Sequence, residues 1–386
     1  MIRYLTAGES HGEALVGIVE GVPAGVTLRA ADVDRQLARR WIGFGRGGRA
    51  KIENDRVHIY SGIRFEQTIG SPIALRLENA AYRSDKAGWP EVMAVGGSGE
   101  GVEPVTLPRP GHADLAGLQK YGFSDIRPVI DRASARETAM RVACCTVARE
   151  FLRAFGIEIG SHVIRIGEIA CNSDVSVLID AGGDAISNAA DESQVRMIDP
   201  RQSHACIDHI TEVKKRGDSL GGVYEVVATG VPVGLGSYVH WDRKLDGLLG
   251  QAILSIQGQK AVEIGEGIRS ARIPGSQVHD EIVEEGGRLR RGSNRAGGIE
   301  GGMSNGMPIV VRGYMKPIPT LIKPLNTVDI GTGEAQATRY ERSDVTSVPA
   351  ASTVAEAVVA MSLANAFLEK FGGDSVTEIR SRYRPG

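Results

Sequence analysis

Two histidines stand on glycine-flanked loops: His11 in GESHG, residues 8–12, and His112 in RPGHADLAGLQKYGFSD, residues 109–125. Imidazole is the side chain whose charge changes near neutral pH, so two of them in open, small-residue settings suit general acid–base work. Either one alone reads as readily as a surface or capping residue. Arginines form the second group. ARRWIGFGRGGRAKIE spaces Arg40, Arg46 and Arg49 with glycines, and RPVIDRASARETA sets Arg132 and Arg136 on either side of Ser134. A guanidinium fork matches carboxylate and phosphate oxygens, and glycine lets an anion approach the backbone. The alternative for the first segment is a solvated basic loop.

Two further stretches belong with these. AGGIEGGMSNGMPIVVRGYMKPIPT, residues 296–320, packs Gly297, Gly298, Gly301 and Gly302 together and then breaks a strand at Lys316-Pro317. That is either a backbone nest for phosphate with a lysine partner, or turn chemistry. In YERSDVTSVPA, Arg342 and Asp344 precede a long helix, a pattern more often met as a surface ion pair. Gly43, Gly45 and Gly48 formally match G-x-G-x-x-G. They follow a basic helix and precede a strand, the reverse of the dinucleotide-binding order, and the chain has no P-loop motif.

The elements that must hold these groups alternate without a βαβ rhythm. IRYLTAG, EALVGIVEG, SPIALRLEN, EIGSHVIRIGEI, VYEVVATGV and MPIVVRGYM read as strands, and KIENDRVHIYSGI reads as a hairpin turning at Asn54-Asp55. RAADVDRQLARRW and KLDGLLGQAILSIQ read as helices. The clearest helix spans 134–156, with Ser134 and Glu137 as its capping box and Gly156 as its stop. A second long helix begins at Thr353 and Glu356 with the same pattern and also ends in Phe-Gly, which hints at a pseudo-duplicated layout. The class expected is α+β, with long helices packed on antiparallel sheets in a single domain, residues 1–386. Residues 83–108 form a Gly/Pro-rich excursion, of which 83–101 is unassigned.

Composition narrows the partners. The net charge is −2 and aromatics make up 5% of the chain, so neither nucleic acid nor an anionic membrane is called for. The 50 glycines are nearly twice the usual ~7%. The four cysteines (Cys144, Cys145, Cys171 and Cys206) form no C-x-x-C pair and read as reduced core residues of a cytoplasmic protein. No signal-peptide shape and no apolar run of membrane-spanning length is expected, and no metal site.

GESHG, GRGGR, RPGHADLAGLQKYGFSDIRPVIDRASARETA, AGGIEGG, KPIPT and RSDV follow in an order that spans nearly the whole chain. Together they resemble the chorismate synthase family. The resemblance implies a β-α-β sandwich subunit, a homotetramer and a reduced FMN cofactor. It also implies an anti 1,4-elimination of phosphate from 5-enolpyruvylshikimate 3-phosphate, giving chorismate. FMN contacts would fall on Arg132, Ala133, Ser134, Gln257, Gly258, Gly301, Lys316, Pro317, Ile318, Pro319, Thr320 and Arg342. Gln257-Gly258 departs from the Asn-Ala often found in the family. Substrate or NADP contacts would fall on Ser10, Arg40, Arg46, Arg49 and Arg136.

By the same resemblance, His11 would protonate the leaving phosphate, His112 would protonate or polarise the reduced flavin, and Asp344 would assist loss of the ring proton. Which histidine takes which task stays open. No reductase segment is visible, so an external flavin reductase or other reductant is expected, with NADPH as one source. Two other readings are a net FMN-dependent oxidoreductase and a non-catalytic polyanion-binding protein.

Overall fold

The computed structural model describes residues 1–46, 54–83, 88–172, 175–339 and 344–383. Strands β1 (Arg3–Ala7), β2 (Ala14–Glu20), β3 (Val57–Ile59) and β4 (Ile73–Glu78) form one antiparallel sheet in the order β1-β2-β4-β3. A second antiparallel sheet contains β5 (Glu158–Ile166), β6 (Ile169–Ala170), β7 (Gly222–Thr229), β8 (Gln259–Ile264) and β9 (Ile309–Met315), in the order β8-β9-β7-β5-β6. Short two-stranded ribbons decorate both and are not numbered. The principal helices are α1 (Ala30–Arg40), α2 (Asp114–Tyr121), α3 (Arg127–Ala133), α4 (Glu137–Arg153), α5 (Gly183–Asp191), α6 (Pro200–Lys215), α7 (Leu245–Leu254) and α8 (Val348–Phe371).

The two sheets lie outside and α4 and α8 lie between them. α4 packs on β1, β2 and β4, and α8 packs on β5, β7 and β9, while the two helices pack on each other. Strand alternation produces this arrangement. Leu15, Val19, Ile73, Leu75 and Leu77 point inward and are buried, whereas Val16, Ile18 and Leu5 point outward to solvent. At Gly17 the helix comes so close that an added Cβ would lie 2.5 Å from Cys144 Sγ and 2.7 Å from Met140 Sδ. The mixed α+β class and the sandwich are therefore as expected, and each sheet carries its own long helix.

Two local expectations, both about helix starts, are corrected. Ser134 does not cap α4. It ends α3, whose start is set by Pro128, and α4 begins three residues later with no side-chain cap. The Glu137 carboxylate that would complete the box instead accepts from Thr6 Oγ1 at 2.8 Å. Likewise α8 starts at Val348, with Pro349 in its first turn, so Thr353 and Glu356 lie inside the helix. The described part of the KIENDRVHIYSGI segment holds β3, which pairs with β4, while residues 51–53 lie outside the described residues.

Helix α8 also overturns the expectation about apolar length. Val348–Phe371 is long and apolar enough to cross a bilayer, but 89% of its most apolar window is buried inside the fold. None of the four cysteines is in a disulfide, and Cys144, Cys145 and Cys206 are buried. Burial pushes the Cys145 and Cys206 thiols up to about 12, which keeps them protonated.

Candidate active site

The β1–β2 loop, the segment entering α2, the C-terminal half of α3 and the chain leaving β9 meet around one cavity of about 840 Å³. That volume lies within the range of small-molecule sites. His11 stands on the β1–β2 loop. Its Nδ1 lies 2.6 Å from Asp131 Oδ1, and Ser10 Oγ donates to the same oxygen at 2.6 Å. Asp131 belongs to α3, and its side chain is almost fully buried. The loop is tied to α3 a second time, because Ser10 N donates to the Asp131 carbonyl at 3.1 Å. With Nδ1–H donating to a carboxylate, Nε2 is the nitrogen left for proton transfer.

His112 repeats the device on another element. The Arg109-Pro110-Gly111 turn presents it two residues before the start of α2, and its Nδ1 pairs with Asp114 Oδ1. Asp114 is fully buried and also accepts from Arg109 Nε at 2.9 Å and from Arg109 N at 3.0 Å. Burial pushes the Asp114 carboxyl up, but hydrogen bonds from His112 and Arg109 outweigh it and hold the group well below the usual carboxylate range. Asp114 is therefore an anion that orients His112 at any pH near neutrality.

The segment Lys316–Thr320 lines the cavity beside the Arg109-Pro110-Gly111 turn. Prolines at 317 and 319 stiffen it, Lys316 N donates to Gly258 O at 3.0 Å, and Ser219 Oγ donates to Ile318 O at 2.7 Å. Lys316 Nζ reaches back to the Gly111 carbonyl beside His112. Burial and the nearby Lys260 lower the Lys316 pKa. Gln257 lines the cavity, and its buried Oε1 has no hydrogen-bond partner among the described residues.

At the mouth stand Asp344 and Ser347. Ser347 Oγ donates to Asp344 Oδ2 at 3.3 Å, and Arg46 Nη1 lies 3.4 Å from the same oxygen. Arg109, Arg127, Lys316 and Arg339 line the cavity with Asp131 and Asp344. Arg109 is paired with Asp114 and Arg127 lies 3.6 Å from Asp125, so among the described lining residues Lys316 and Arg339 are the cations left to face a ligand. Such a lining favours a multiply charged anion. Among the described residues no cluster of three or more histidine, cysteine or acidic side chains could hold a metal.

The structure thus brings together Ser10, His11, His112, Ala133, Ser134, Gln257, Gly258, Lys316, Pro317, Ile318, Pro319, Thr320 and Asp344 on one cavity, with Arg46 paired to Asp344. Other candidates lie elsewhere in the subunit. Arg132 donates to the carbonyls of Gly8 at 2.9 Å and Thr6 at 3.0 Å, so it braces the His11 loop. Arg136 is buried against Asp55, at 2.7 Å, and Asn79, at 2.9 Å. The expectation of an anion held between these two arginines is therefore corrected: carbonyls and carboxamide and carboxylate oxygens of the fold already take them. Arg40 donates to Ala135 O at 2.8 Å and Thr138 Oγ1 at 3.0 Å, anchoring α1 to the start of α4. Gly301 sits on a ribbon turn near Tyr238, away from the cavity. Arg49 and Arg342 lie outside the described residues.

Sequence reasoning missed Asp114, Asp131, Arg109, Arg127, Arg339 and Trp89. Asp114 had a local signal, two positions after His112. Asp131 had none, since it lies 120 residues from the histidine it holds. Exchange of Asp131 for asparagine is expected to lower turnover by roughly 10²-fold, because an amide can present a donor and impose the wrong imidazole tautomer. Steady-state kinetics on a variant with an unchanged circular dichroism spectrum checks this. A loss confined to KM would remove the orienting role.

Comparison with known proteins identifies the family. The family model described as chorismate synthase matches residues 2–368. A chorismate synthase from Salinibacter ruber is 64% identical over 98% of this chain and 97% of its own length. One from Chlorobaculum tepidum is 55% identical over 99% and 96%. A crystal structure of a chorismate synthase superposes with a TM-score of 0.79 at 41% identity, covering 99% of this chain and 96% of its own. The chain belongs to the chorismate synthase family, carbon–oxygen lyases of aromatic amino-acid biosynthesis.

Proposed function

We propose that the cavity between His11, His112 and Lys316–Thr320 takes 5-enolpyruvylshikimate 3-phosphate together with reduced FMN. The observation that carries this reading is the pair of histidine–carboxylate units, His11–Asp131 and His112–Asp114, opening on one cationic cavity with Asp344 at its mouth. The substrate has one phosphate and two carboxylates, and Lys316 and Arg339 offset part of that charge. Arg46 adds to this field beside Asp344. A role for Arg40, Arg49, Arg136 or Arg342 toward substrate or NADP is carried by the resemblance alone.

The residues present fit a flavin. The Lys316–Thr320 segment offers a stiff edge with a cation, Ala133, Ser134 and Gly258 add small surfaces, and Gln257 Oε1 is a buried acceptor in need of a donor. Bound reduced FMN would supply an electron that is lent to the substrate and recovered, so the elimination has no net redox change. His11 then protonates the departing phosphate through Nε2. His112 holds a proton toward the flavin edge. Asp344 assists removal of the ring proton. Arg342 is proposed as a flavin contact on the family pattern, whereas for Arg132, bound to the Gly8 and Thr6 carbonyls, and for Gly301, away from this cavity, that role is carried by the resemblance alone.

We further propose a homotetramer. The outward face of the first sheet exposes Leu5 at 72%, Val16 at 41% and Ile18 at 46%, an apolar surface that a second copy would cover. The reaction is placed in the cytoplasm, with an external flavin reductase, using NADPH or another donor, keeping FMN reduced.

The test is stoichiometric. Protein and FMN are reduced once with dithionite without air, substrate is added in large excess, and chorismate and phosphate are counted per flavin. Many products per flavin are expected, and none with oxidised FMN. One product per flavin would show a net redox reaction and overturn the proposal.

A further inference from the structure

The excursion over residues 83–108 carries no motif that the reaction uses, yet Trp89 and Val105 from it line the active-site cavity. A single helical turn, Trp89–Val92, follows Gly88, whose φ of 61° lies in the left-handed region. The turn closes with Met93 N donating to Trp89 O at 2.8 Å and Val92 N donating to Gly88 O at 3.1 Å. The indole of Trp89 lies flat on the His11 imidazole, with ring centroids 3.9 Å apart and planes 14° from parallel. Trp89 lines the cavity beside His11 and Asp131.

This stack completes the restraint on His11. The Asp131 carboxylate and Ser10 hydroxyl meet the ring at its Nδ1 edge, at 2.6 Å and 3.1 Å. A hydrogen bond at one edge leaves the ring able to swing about that bond as a hinge. An indole against its face removes the swing, so the ring plane is fixed and Nε2 keeps one direction. The glycines that open room around His11 make this necessary, because Gly8 and Gly12 offer no side chain to pack against the ring. An aromatic face also attracts an imidazolium, so the contact does not weaken when the ring carries its proton.

We propose that Trp89 is a positioning residue for His11, acting through the stacked face and not through contact with the reacting atoms. The inference rests on His11 being the acid of the proposed elimination. Trp89→Leu keeps apolar bulk and loses the π face, so it is expected to lower kcat about tenfold with KM within about twofold. Trp89→Phe, which keeps a face, should recover most of that loss. If the effect runs through His11, Trp89→Leu should add nothing in a His11→Asn background.

A readout on flavin-free protein separates this from the reaction itself. The share of tryptophan emission removed by Trp89→Phe isolates the Trp89 signal from Trp41 and Trp241. His11→Asn should change the intensity or wavelength of that share and leave the remainder as it was. Equal losses from Trp89→Leu with and without His11, or a Trp89→Phe variant as impaired as Trp89→Leu, would overturn the proposal. So would Trp89 emission indifferent to His11→Asn, a reading that survives even if Trp89→Leu fails to fold. Near-normal turnover in His11→Asn would instead overturn the role of His11, while the emission result would still report on the stack.

Discussion

Glu356→Ala is expected to destabilise the protein by about 3–5 kcal/mol, the magnitude seen when one partner of a buried ion pair is removed. Glu356 lies on α8 at 1% exposure. Its Oε2 accepts from Arg39 Nη1 and Arg149 Nη1, both at 2.7 Å, and its Oε1 accepts from Arg39 Nη2 at 2.8 Å and Ser161 Oγ at 2.6 Å. Arg196, fully buried, donates to Oε1 at 3.3 Å. Asp191 and Asp184 take part of this charge, at 2.6 Å from Arg39 and 2.8 Å from Arg149. Without Glu356, three guanidiniums from three separate elements stay buried against two carboxylates.

Burial pushes the Glu356 carboxyl up, but Arg39, then Arg149 and Arg196, outweigh it and hold the group well below the usual carboxylate range. The folded pKa is thus below the unfolded one. The contribution is present above the unfolded value, ~4.3, and is lost as pH falls toward the folded value. Urea midpoints at neutral and acidic pH check both statements. A loss below about 1 kcal/mol at neutral pH would show that the neighbouring carboxylates suffice.

Replacement of His11 or His112 by alanine is expected to lower turnover by about 10²-fold or more for each, with the fold intact. Both residues stand on loops. Asp114, left without His112, still binds Arg109 through its side chain and backbone, so its charge stays compensated. Asp131, left without His11, keeps the Ser10 hydroxyl. Melting temperatures should therefore change little while anaerobic turnover falls. Near-normal turnover in both folded variants would remove the acid–base assignment.

The strands and the general run of the helices were legible because burial alternates along β2 and β4 and because α8 ends at Phe371-Gly372, although α4 stops at Arg153, short of the expected Gly156. Helix starts were not. Ser134/Glu137 and Thr353/Glu356 both have capping-box spacing, yet Glu137 and Glu356 are committed to distant partners. A local pattern cannot show that a carboxylate is claimed from 317 residues away, as Glu356 is by Arg39. The site divides in the same way. Glycine-flanked His11 and His112 were visible in their own pentapeptides, and Lys316–Thr320 by its prolines. Arginines were harder to sort. Arg132 and Arg136 have the types and spacing of anion ligands but brace the fold, whereas Arg109 and Arg127 reach the cavity only because α2 and α3 fold back toward the β1–β2 loop.

The place of α8 in the chain has a consequence for biosynthesis. It lies between both sheets, yet follows them all in sequence. A ribosome makes the chain from its N-terminus, so the inner faces of β2, β4, β5 and β7 emerge long before the helix that covers the second sheet. α4 can shelter the first sheet on one side, but its own far side awaits α8, and so do Arg39, Arg149 and Arg196. The nascent protein thus spends most of its synthesis with half of its apolar interior uncovered and three arginines unmatched by Glu356. Such a chain depends on holding chaperones more than one whose halves close independently.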